Sequence, residues 1–380
     1  MKTLLHFSRM TVGVLFVFSG LVKANDPAGL SYKMQEFFEA WGLHAPDSVT
    51  LPFSIAMIAF EIMAGVAVIL GWRFSLFAWM LLALIVFFTF LTGYALFSGK
   101  IRECGCFGDC IPLTAGQSFV KDLLLLAMIG FLFLQRDKVR PLFRERTSLF
   151  AFILSGIASL ALMAYALKRL PPIDCLPYKV GANIPEKMRI PPGAIPDSTV
   201  INFVYEKDGR QVEFDANNFP SDFNDSSYRF IKRYDKVVRE GNAEPAIKDF
   251  AILTLAGNDT TQAILANEGR IAVLFSRSID GGPADWSWRE DLALLREKAS
   301  KAGIPLIWVT SDADRLTTAL QSGGWSDIPV LKGDAVAIKT AARANPTVYL
   351  LRKGTIEGKW SYADFDQAAA ALSNMAPDKP

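Results

Sequence analysis

Residues 74–98 read FSLFAWMLLALIVFFTFLTGYALFS, a run of 25 residues without a charged side chain. About 20 apolar residues are enough for a helix to cross a bilayer. Four more stretches of similar character occur before Pro171 and none after it. The predicted spans are Leu4–Ala24, Leu51–Gly71, Phe74–Ser98, Phe119–Gln135 and Ser148–Leu170. We therefore predict an α-helical membrane bundle of about five transmembrane helices over residues 1–170.

Charge and polarity divide the 380-residue chain into two parts. Residues 1–170 hold 15 basic and 10 acidic side chains, whereas residues 171–380 hold 25 and 28. A hydrophobic fraction of 51 % and a net charge of +2 exclude a disordered protein and a dedicated nucleic-acid binder. The composition predicts a domain in the lipid bilayer joined to a soluble domain, without a nucleic-acid partner.

The loop between the fourth and fifth spans predicts the orientation in the membrane. It carries two acidic residues and five basic ones, and the basic ones are Arg136, Lys138, Arg140, Arg144 and Arg146. Basic loops are retained in the cytoplasm. We expect a multi-pass protein of a bacterial inner membrane, with a cytoplasmic N-terminus and a periplasmic C-terminal domain. The first span resembles a signal peptide, but the four spans after it favour its retention.

Residues 31–43, which follow the first span, are amphipathic. Their apolar side chains share one face at helical spacing, namely Met34, Phe37, Phe38 and Trp41. Such a helix rests at the outer membrane interface or folds over the ends of the bundle, and the sequence leaves both arrangements open.

Three charged residues lie within the first two spans. Glu61 is near the middle of the second span, where a carboxylate is costly and is a candidate for function. Arg9 and Lys23 share one face of the first helix with small residues that permit close packing. Glu61 either pairs with Arg9 or a backbone group and holds the bundle together, or carries protons for a membrane quinone.

All four cysteines fall on the predicted outer side: Cys104, Cys106, Cys110 and Cys175. A bond between Cys104 and Cys106 would close a small, strained ring that is readily reduced, and Cys110 is placed to resolve it. Three interpretations stay open, namely a redox relay, structural disulfides that include Cys175, and a site of four thiolates for a metal. We assign no residue as a metal ligand.

Motifs in the membrane half resemble known families. Residues Phe18–Pro27 (FSGLVKANDP), and Glu61 followed by Gly65 and Gly71, resemble the DoxX family of small membrane proteins. The outer loop Cys104–Gly108 (CGCFG) resembles the related MauE family, named for methylamine utilisation. The resemblance covers roughly residues 5–135 and implies a DoxX/MauE-like helical bundle.

Beyond the spans, residues 171–198 form a proline-rich connector and residues 199–248 an α/β extension. In the extension, a hairpin of Val200–Tyr205 and Gln211–Phe214 precedes a polar stretch predicted to be helical to about Glu244. Residues 249–380 alternate between strands and helices. The predicted elements are strands at Phe250–Leu255, Ile271–Ser276, Pro305–Thr310, Val348–Leu351 and Thr355–Trp360, and helices at Thr260–Asn267, Trp286–Ala302, Asp312–Gln321 and Tyr362–Asn374.

This order of elements resembles a soluble α/β thioredoxin-like domain over residues 249–375. Asn345-Pro346-Thr347 resembles the cis-proline loop of that fold, so Pro346 is the candidate cis-proline. The segment Ser276–Trp286 replaces the Cys-x-x-Cys motif and contains no cysteine. The domain therefore cannot exchange dithiols itself, but its groove offers a binding site for an extended peptide of a protein partner.

Two functions follow from these observations. In the first, the outer-loop cysteines perform thiol–disulfide or quinone-linked redox chemistry, with Glu61 as proton carrier. In the second, the protein is a non-enzymatic assembly or accessory subunit in which the thioredoxin-like domain docks a periplasmic or membrane protein. The plan also resembles vitamin K epoxide reductase homologues fused to thioredoxin domains, although Cys-x-Cys replaces their Cys-x-x-Cys.

Overall fold

The computed structural model describes residues 2–101, 105, 107–195, 198–216, 218–224, 226–239, 241, 243–277, 279 and 285–375. The chain divides into two compact units. The first combines Met1–Ala182 with Ala251–Pro380, and the second is Asn183–Phe250. The predicted membrane half and the C-terminal sheet domain thus belong to one unit.

Among the described residues, five helices are long and apolar enough to cross a membrane. In chain order the helices of this half are α1 (Lys2–Asn25), α2 (Pro27–Ala40), α3 (Asp47–Leu70), α4 (Phe74–Ser98), α5 (Ala115–Leu134) and α6 (Glu145–Lys168). All except α2 are candidate spans. The five predicted spans correspond to these five candidate helices, and their ends differ from the prediction by four residues at most.

Helices α1 and α3 pack closely because glycines face each other where they cross. A Cβ atom on Gly13 would lie 2.9 Å from the carbonyl oxygen of Gly65, and one on Gly65 would lie 2.8 Å from that of Gly13. Glycine removes the side chain that would separate the two backbones. The predicted shared face of α1 is buried as a whole, including Arg9 and Lys23 at 4 % exposure each.

The amphipathic helix α2 is folded over the end of the bundle, which is one of the two predicted arrangements. Asp26 caps its first turn by accepting a hydrogen bond from Gly29 N at 3.1 Å. The Ser31 hydroxyl lies 2.8 Å from that of Thr50 in α3. Phe37 packs in a cluster with Ala95 of α4. The helix begins four residues earlier than the sequence predicted.

The second unit contains a short helix, α7 (Ile184–Lys187), and a three-stranded antiparallel sheet. Its strands are β1 (Ser198–Lys207), β2 (Arg210–Asp215) and β3 (Arg229–Arg239), in the order β2-β1-β3. The hairpin prediction is confirmed, but the helix predicted up to Glu244 is wrong. That stretch forms β3, because aromatic residues such as Phe230 and Tyr234 suit a strand. It pairs with the edge of β1 that β2 does not occupy.

The C-terminal domain is built on a six-stranded mixed sheet in the order β4-β7-β6-β5-β8-β9. The strands are β4 (Ile252–Leu253), β5 (Arg270–Ser276), β6 (Leu306–Thr310), β7 (Val330–Gly333), β8 (Thr347–Arg352) and β9 (Thr355–Ser361). Strands β5, β6 and β7 run parallel, whereas β4, β8 and β9 are antiparallel to their neighbours. The five predicted strands are present, and the sequence analysis missed β7.

Helices on the faces of this sheet supply its core. They are α8 (Thr261–Leu265), α9 (Arg289–Lys301), α10 (Ala313–Ser322), α11 (Ala335–Ala341) and α12 (Phe365–Ser373). Leu292 and Leu295 of α9 pack with Phe365 of α12 and with Trp308, which is fully buried in β6. Four of these helices were predicted; α11 was not. The sequence showed the core face of α9 because its apolar residues recur at helical spacing.

The first part of the proline-rich connector is held against the sheet domain. Gly181 N donates to Ile356 O at 2.8 Å, and Ile356 N donates to Ala182 O at 2.9 Å. Nearby, Lys359 Nζ lies 2.9 Å from Asp174 Oδ2. Burial lowers the pKa of Lys359, and Asp174 only partly opposes this effect. These contacts explain why residues up to Ala182 belong to the first unit.

Candidate functional site

A cavity of about 410 Å3 lies among helices α1 to α5. Most of its wall is apolar, with Phe16, Phe37 and Phe88 on three different helices. Gly105 and Phe107, which precede and follow Cys106 in the loop between α4 and α5, also line it. Cavities of this size and character commonly hold small apolar molecules.

One polar group in the cavity wall is the ion pair between Lys23 and Glu61. Lys23 Nζ lies 2.7 Å from Oε2 and 3.0 Å from Oε1 of Glu61, and both side chains are at most 5 % exposed. The ammonium also lies 5.2 Å from the ring centroid of Phe88. Arg9 or a backbone group was the predicted partner if Glu61 is structural, and the structure gives Lys23 as its partner. Arg9 instead donates to Arg140 O at 3.1 Å.

A second buried ion pair escaped the sequence analysis. Lys121 Nζ lies 2.6 Å from Asp122 Oδ1, and the Thr92 hydroxyl donates to Asp122 Oδ2 at 3.0 Å. Asp122 is fully buried, and all three residues line the cavity. The sequence contained a signal for this pair, because Lys121 and Asp122 are charged residues inside the fourth predicted span.

Cys110 and Cys175 form a disulfide, which joins the loop between α4 and α5 to the connector. This corrects the proposal that Cys110 acts as a resolving thiol, because a sulfur bonded to Cys175 has no thiol to offer. It also excludes a site of four thiolates while this bond exists, because each ligand must be a free thiolate. Cys104 and Cys106 lie outside the described residues.

The end of α1 is hydrogen-bonded to the connector beside this disulfide. Asn25 Nδ2 donates to Ile173 O at 2.8 Å, and Ile173 N donates to Asn25 Oδ1 at 2.9 Å. Asn25 Nδ2 is also 4.0 Å from the sulfur of Cys110. Helix α1, the outer loop and the connector therefore meet at one point.

Two arginines of the sheet domain contact the membrane half. Arg343 Nε lies 2.8 Å from Asp26 Oδ2, and its Nη2 lies 2.9 Å from Asp109 Oδ2. Arg277 Nη1 donates to the Tyr32 hydroxyl at 2.7 Å and lies 2.9 Å from Asp47 Oδ2. Arg343 is 6 % exposed, so its two ion pairs are shielded from water.

The Asn345–Pro346 peptide bond is cis. Asn345 Oδ1 accepts a hydrogen bond from Arg277 N at 2.9 Å, and Asn345 lines a cavity of about 230 Å3 together with Tyr32 and Asp47. The loop considered for peptide binding thus lies beside this chain's own α2 and the start of α3. Among the described residues, no group of three or more His, Cys, Asp or Glu side chains is arranged to hold a metal ion.

The cavity lies within a segment that matches a known family. Residues 1–135 match the family Methylamine utilisation protein MauE. This MauE-like segment contains α1 to α5, every residue that lines the 410 Å3 cavity, and three of the four cysteines. The disulfide partner Cys175 lies beyond it. The segment makes up about a third of the chain, and the match supports a multi-pass membrane protein.

Other comparisons cover smaller parts of the chain. Residues 199–240 match the family Domain of unknown function (DUF8463). A stretch of 167 residues is 25 % identical to Protein TlpB of Flavobacterium psychrophilum, which covers 41 % of this chain and 43 % of that protein. The chain thus spans less than half the length of this curated relative. No solved structure matches.

Proposed function

We propose that the chain is a membrane thiol–disulfide oxidoreductase in which Cys104 and Cys106 exchange electrons between exported thiols and a membrane quinone. The observation that carries the proposal is that Gly105 and Phe107, the neighbours of Cys106, line an apolar cavity with buried ion pairs. A cavity that reaches both neighbours of Cys106 offers a binding site for an apolar electron acceptor near this stretch of the chain.

The residues of the cavity fit a quinone. An apolar wall suits the ring and tail, and the few polar groups suit the two ring oxygens. Lys23 offers ammonium protons for hydrogen bonds, and Glu61 keeps this buried cation compensated. When bound, a quinone supplies an acceptor for two electrons and two protons, which equals what a dithiol releases on forming a disulfide. Glu61 is the proposed carrier for one of these protons.

We assign the C-terminal domain a supporting role in this proposal. Its order of elements and the cis peptide at Pro346 support a degenerate thioredoxin-like fold. Its cis-proline loop is beside α2, and Arg343 and Arg277 bind it to the membrane half. A peptide of a partner protein could reach that groove only after this contact opened, so we place the chemistry in the outer loop.

We also propose that the membrane is a bacterial inner membrane and that the sheet domain is periplasmic. The basic loop after α5 supports a cytoplasmic location for that end of the bundle. A disulfide between Cys110 and Cys175 suits an oxidising compartment on the other side. We propose as well that the motif around Glu61 is DoxX-like.

Turnover of the purified protein tests the function. The protein in lipid nanodiscs is mixed with dithiothreitol and decylubiquinone, and the absorbance change of quinone reduction is followed. We expect Cys104→Ser and Cys106→Ser to lower the rate at least 100-fold while the protein stays folded. Asp137→Asn, in a loop outside the cavity, is the matched control. Full activity of both cysteine variants would overturn the proposal, and so would a wild-type rate equal to that of protein-free nanodiscs.

A further inference from the structure

We infer that Asp122, assisted by Lys121 and Thr92, is a second proton-exchanging carboxylate of the cavity. The inference rests on the proposed function and deepens it, because forming a quinol requires two protons and Glu61 alone accounts for one. None of these three residues was among the predicted site residues, and their role follows from their contacts.

Each of the two carboxylate oxygens of Asp122 contacts a different donor. Oδ1 is 2.6 Å from the Lys121 ammonium, and Oδ2 accepts from the Thr92 hydroxyl at 3.0 Å. Asp122 is fully buried within α5, where an ionisable group is expensive and seldom kept without a function.

The Thr92 hydroxyl has alternative acceptors within its own helix. Its Oγ1 lies 3.0 Å from Phe88 O and 3.2 Å from Thr89 O. A hydroxyl carries a single proton and rotates to suit its surroundings. When it turns towards a helix carbonyl, Asp122 Oδ2 is released and becomes able to accept a proton.

The pair at Glu61 differs in this respect. Both oxygens of Glu61 lie within 3.0 Å of the same Lys23 ammonium, and the two side chains are at most 5 % exposed. Lys121 is 25 % exposed along its side chain, so its ion pair with Asp122 is more open. Asp122 is therefore the carboxylate whose partners rearrange more easily.

Lys121 also connects Asp122 to the cysteine loop. Its ammonium lies 5.3 Å from the ring centroid of Phe107, the residue after Cys106. Oxidation of a dithiol to a disulfide releases two protons and two electrons, and reduction of a quinone to a quinol consumes both. A proton released at the loop reaches the cavity past Lys121, is held by Asp122, and passes to a ligand oxygen.

The other charged groups of the cavity are compatible with this role. Among the described residues, the charged side chains that line it are Lys23, Lys33, Glu61, Lys121 and Asp122. Lys23 pairs with Glu61, Lys121 pairs with Asp122, and Lys33 pairs with Glu36 at 2.8 Å, so the charges of these groups balance. All five groups contribute to any dependence of turnover on pH.

Redox-difference infrared spectra of the full-length protein test the assignment directly. With decylubiquinone bound in nanodiscs, reduction should change the C=O stretch of a protonated carboxyl group, and the band should shift in D2O. We expect Asp122→Asn to remove a band that Glu61→Gln retains, and Asp137→Asn to change nothing. A wild-type spectrum without such a band, or an unchanged spectrum of Asp122→Asn, would overturn the inference.

Turnover separates this inference from the proposed function. Asp122→Asn should lower quinone reduction about 100-fold, leave decylubiquinone affinity within about 3-fold, and change the pH profile; Asp122→Glu should restore most of the rate. A wild-type protein that reduces quinone while Asp122→Asn keeps its rate and pH profile would refute the role of Asp122 alone. A wild-type protein without thiol-dependent quinone reduction would refute the proposed function and this inference together.

Discussion

Arg343 of the sheet domain and Asp26 of the membrane half form a buried ion pair, although they are 317 positions apart in the chain. Asp26 also caps α2, so one carboxylate starts a helix of the bundle and binds the other domain. Arg343 continues to Asp109, one residue before the disulfide at Cys110. Arg343 thus joins the sheet domain to two acidic residues of the membrane half, in addition to the contact of Arg277 with Asp47.

Arg343→Ala should loosen this contact. Removing one partner of a buried pair leaves Asp26 and Asp109 without their countercharge, which costs about 3–5 kcal/mol. We expect a lower unfolding temperature and faster hydrogen exchange in α2. Arg296→Ala is the control, because Arg296 pairs with Asp327 at the surface and such a pair is worth about 0–1 kcal/mol. Equal effects of the two substitutions would contradict the importance of Arg343.

The disulfide gives a prediction about connectivity and stability. Peptide mapping without reductant should find Cys110 linked to Cys175, and linkage of either to another cysteine would contradict the structure. The bond closes a loop of 65 residues, which corresponds to at most about 4 kcal/mol of chain entropy. Reductant should therefore lower the unfolding temperature of the wild type and leave that of a Cys110→Ala/Cys175→Ala variant unchanged.

The Lys23–Glu61 pair should show strong coupling between its two members. Lys23→Met or Glu61→Leu alone leaves a buried charge without its partner and should cost about 3–5 kcal/mol of stability. The double variant removes both charges and should recover most of that loss, while quinone affinity stays low. Thermal unfolding of the three variants measures the coupling. Additive losses would mean that the two side chains do not stabilise each other.

Lys359 should make stability depend on pH in the alkaline range. Burial holds its pKa in the folded protein below the usual 10.5, so between these two values the unfolded chain binds more protons. The free energy of unfolding that Lys359 contributes therefore rises with pH in this window and is lost as pH falls through the folded pKa.

Comparison of Lys359→Met with the wild type isolates this effect. The wild type should gain stability relative to Lys359→Met as pH rises from the lowered pKa of folded Lys359 towards 10.5. Burial raises the pKa values of Tyr178 and Tyr349, so both stay protonated in the folded protein across this window. Lys301→Met, at an exposed pair with Glu297, is the control. A difference between wild type and Lys359→Met that is flat with pH would refute the prediction.

Local patterns explain the successful predictions and the failures. The spans and most elements of the sheet domain were predictable because apolar runs and the spacing of residues such as Leu292 and Leu295 reflect local geometry. Strand β3 was missed because its many charges suggested an exposed helix, whereas its pairing with β1 is a tertiary effect. Lys121 and Asp122 were overlooked although both stand inside a predicted span.

The sequence by itself determined that this chain has five membrane helices and a C-terminal α/β region, because hydrophobic length and periodicity act over neighbouring residues. Only the tertiary structure decided that Glu61 pairs with Lys23 rather than Arg9, that Cys110 bonds Cys175, and that a cavity opens beside the outer loop. Those relationships depend on how helices cross and on which distant side chains meet. Such contacts are selected by packing and charge in three dimensions, and spacing along the chain does not encode them.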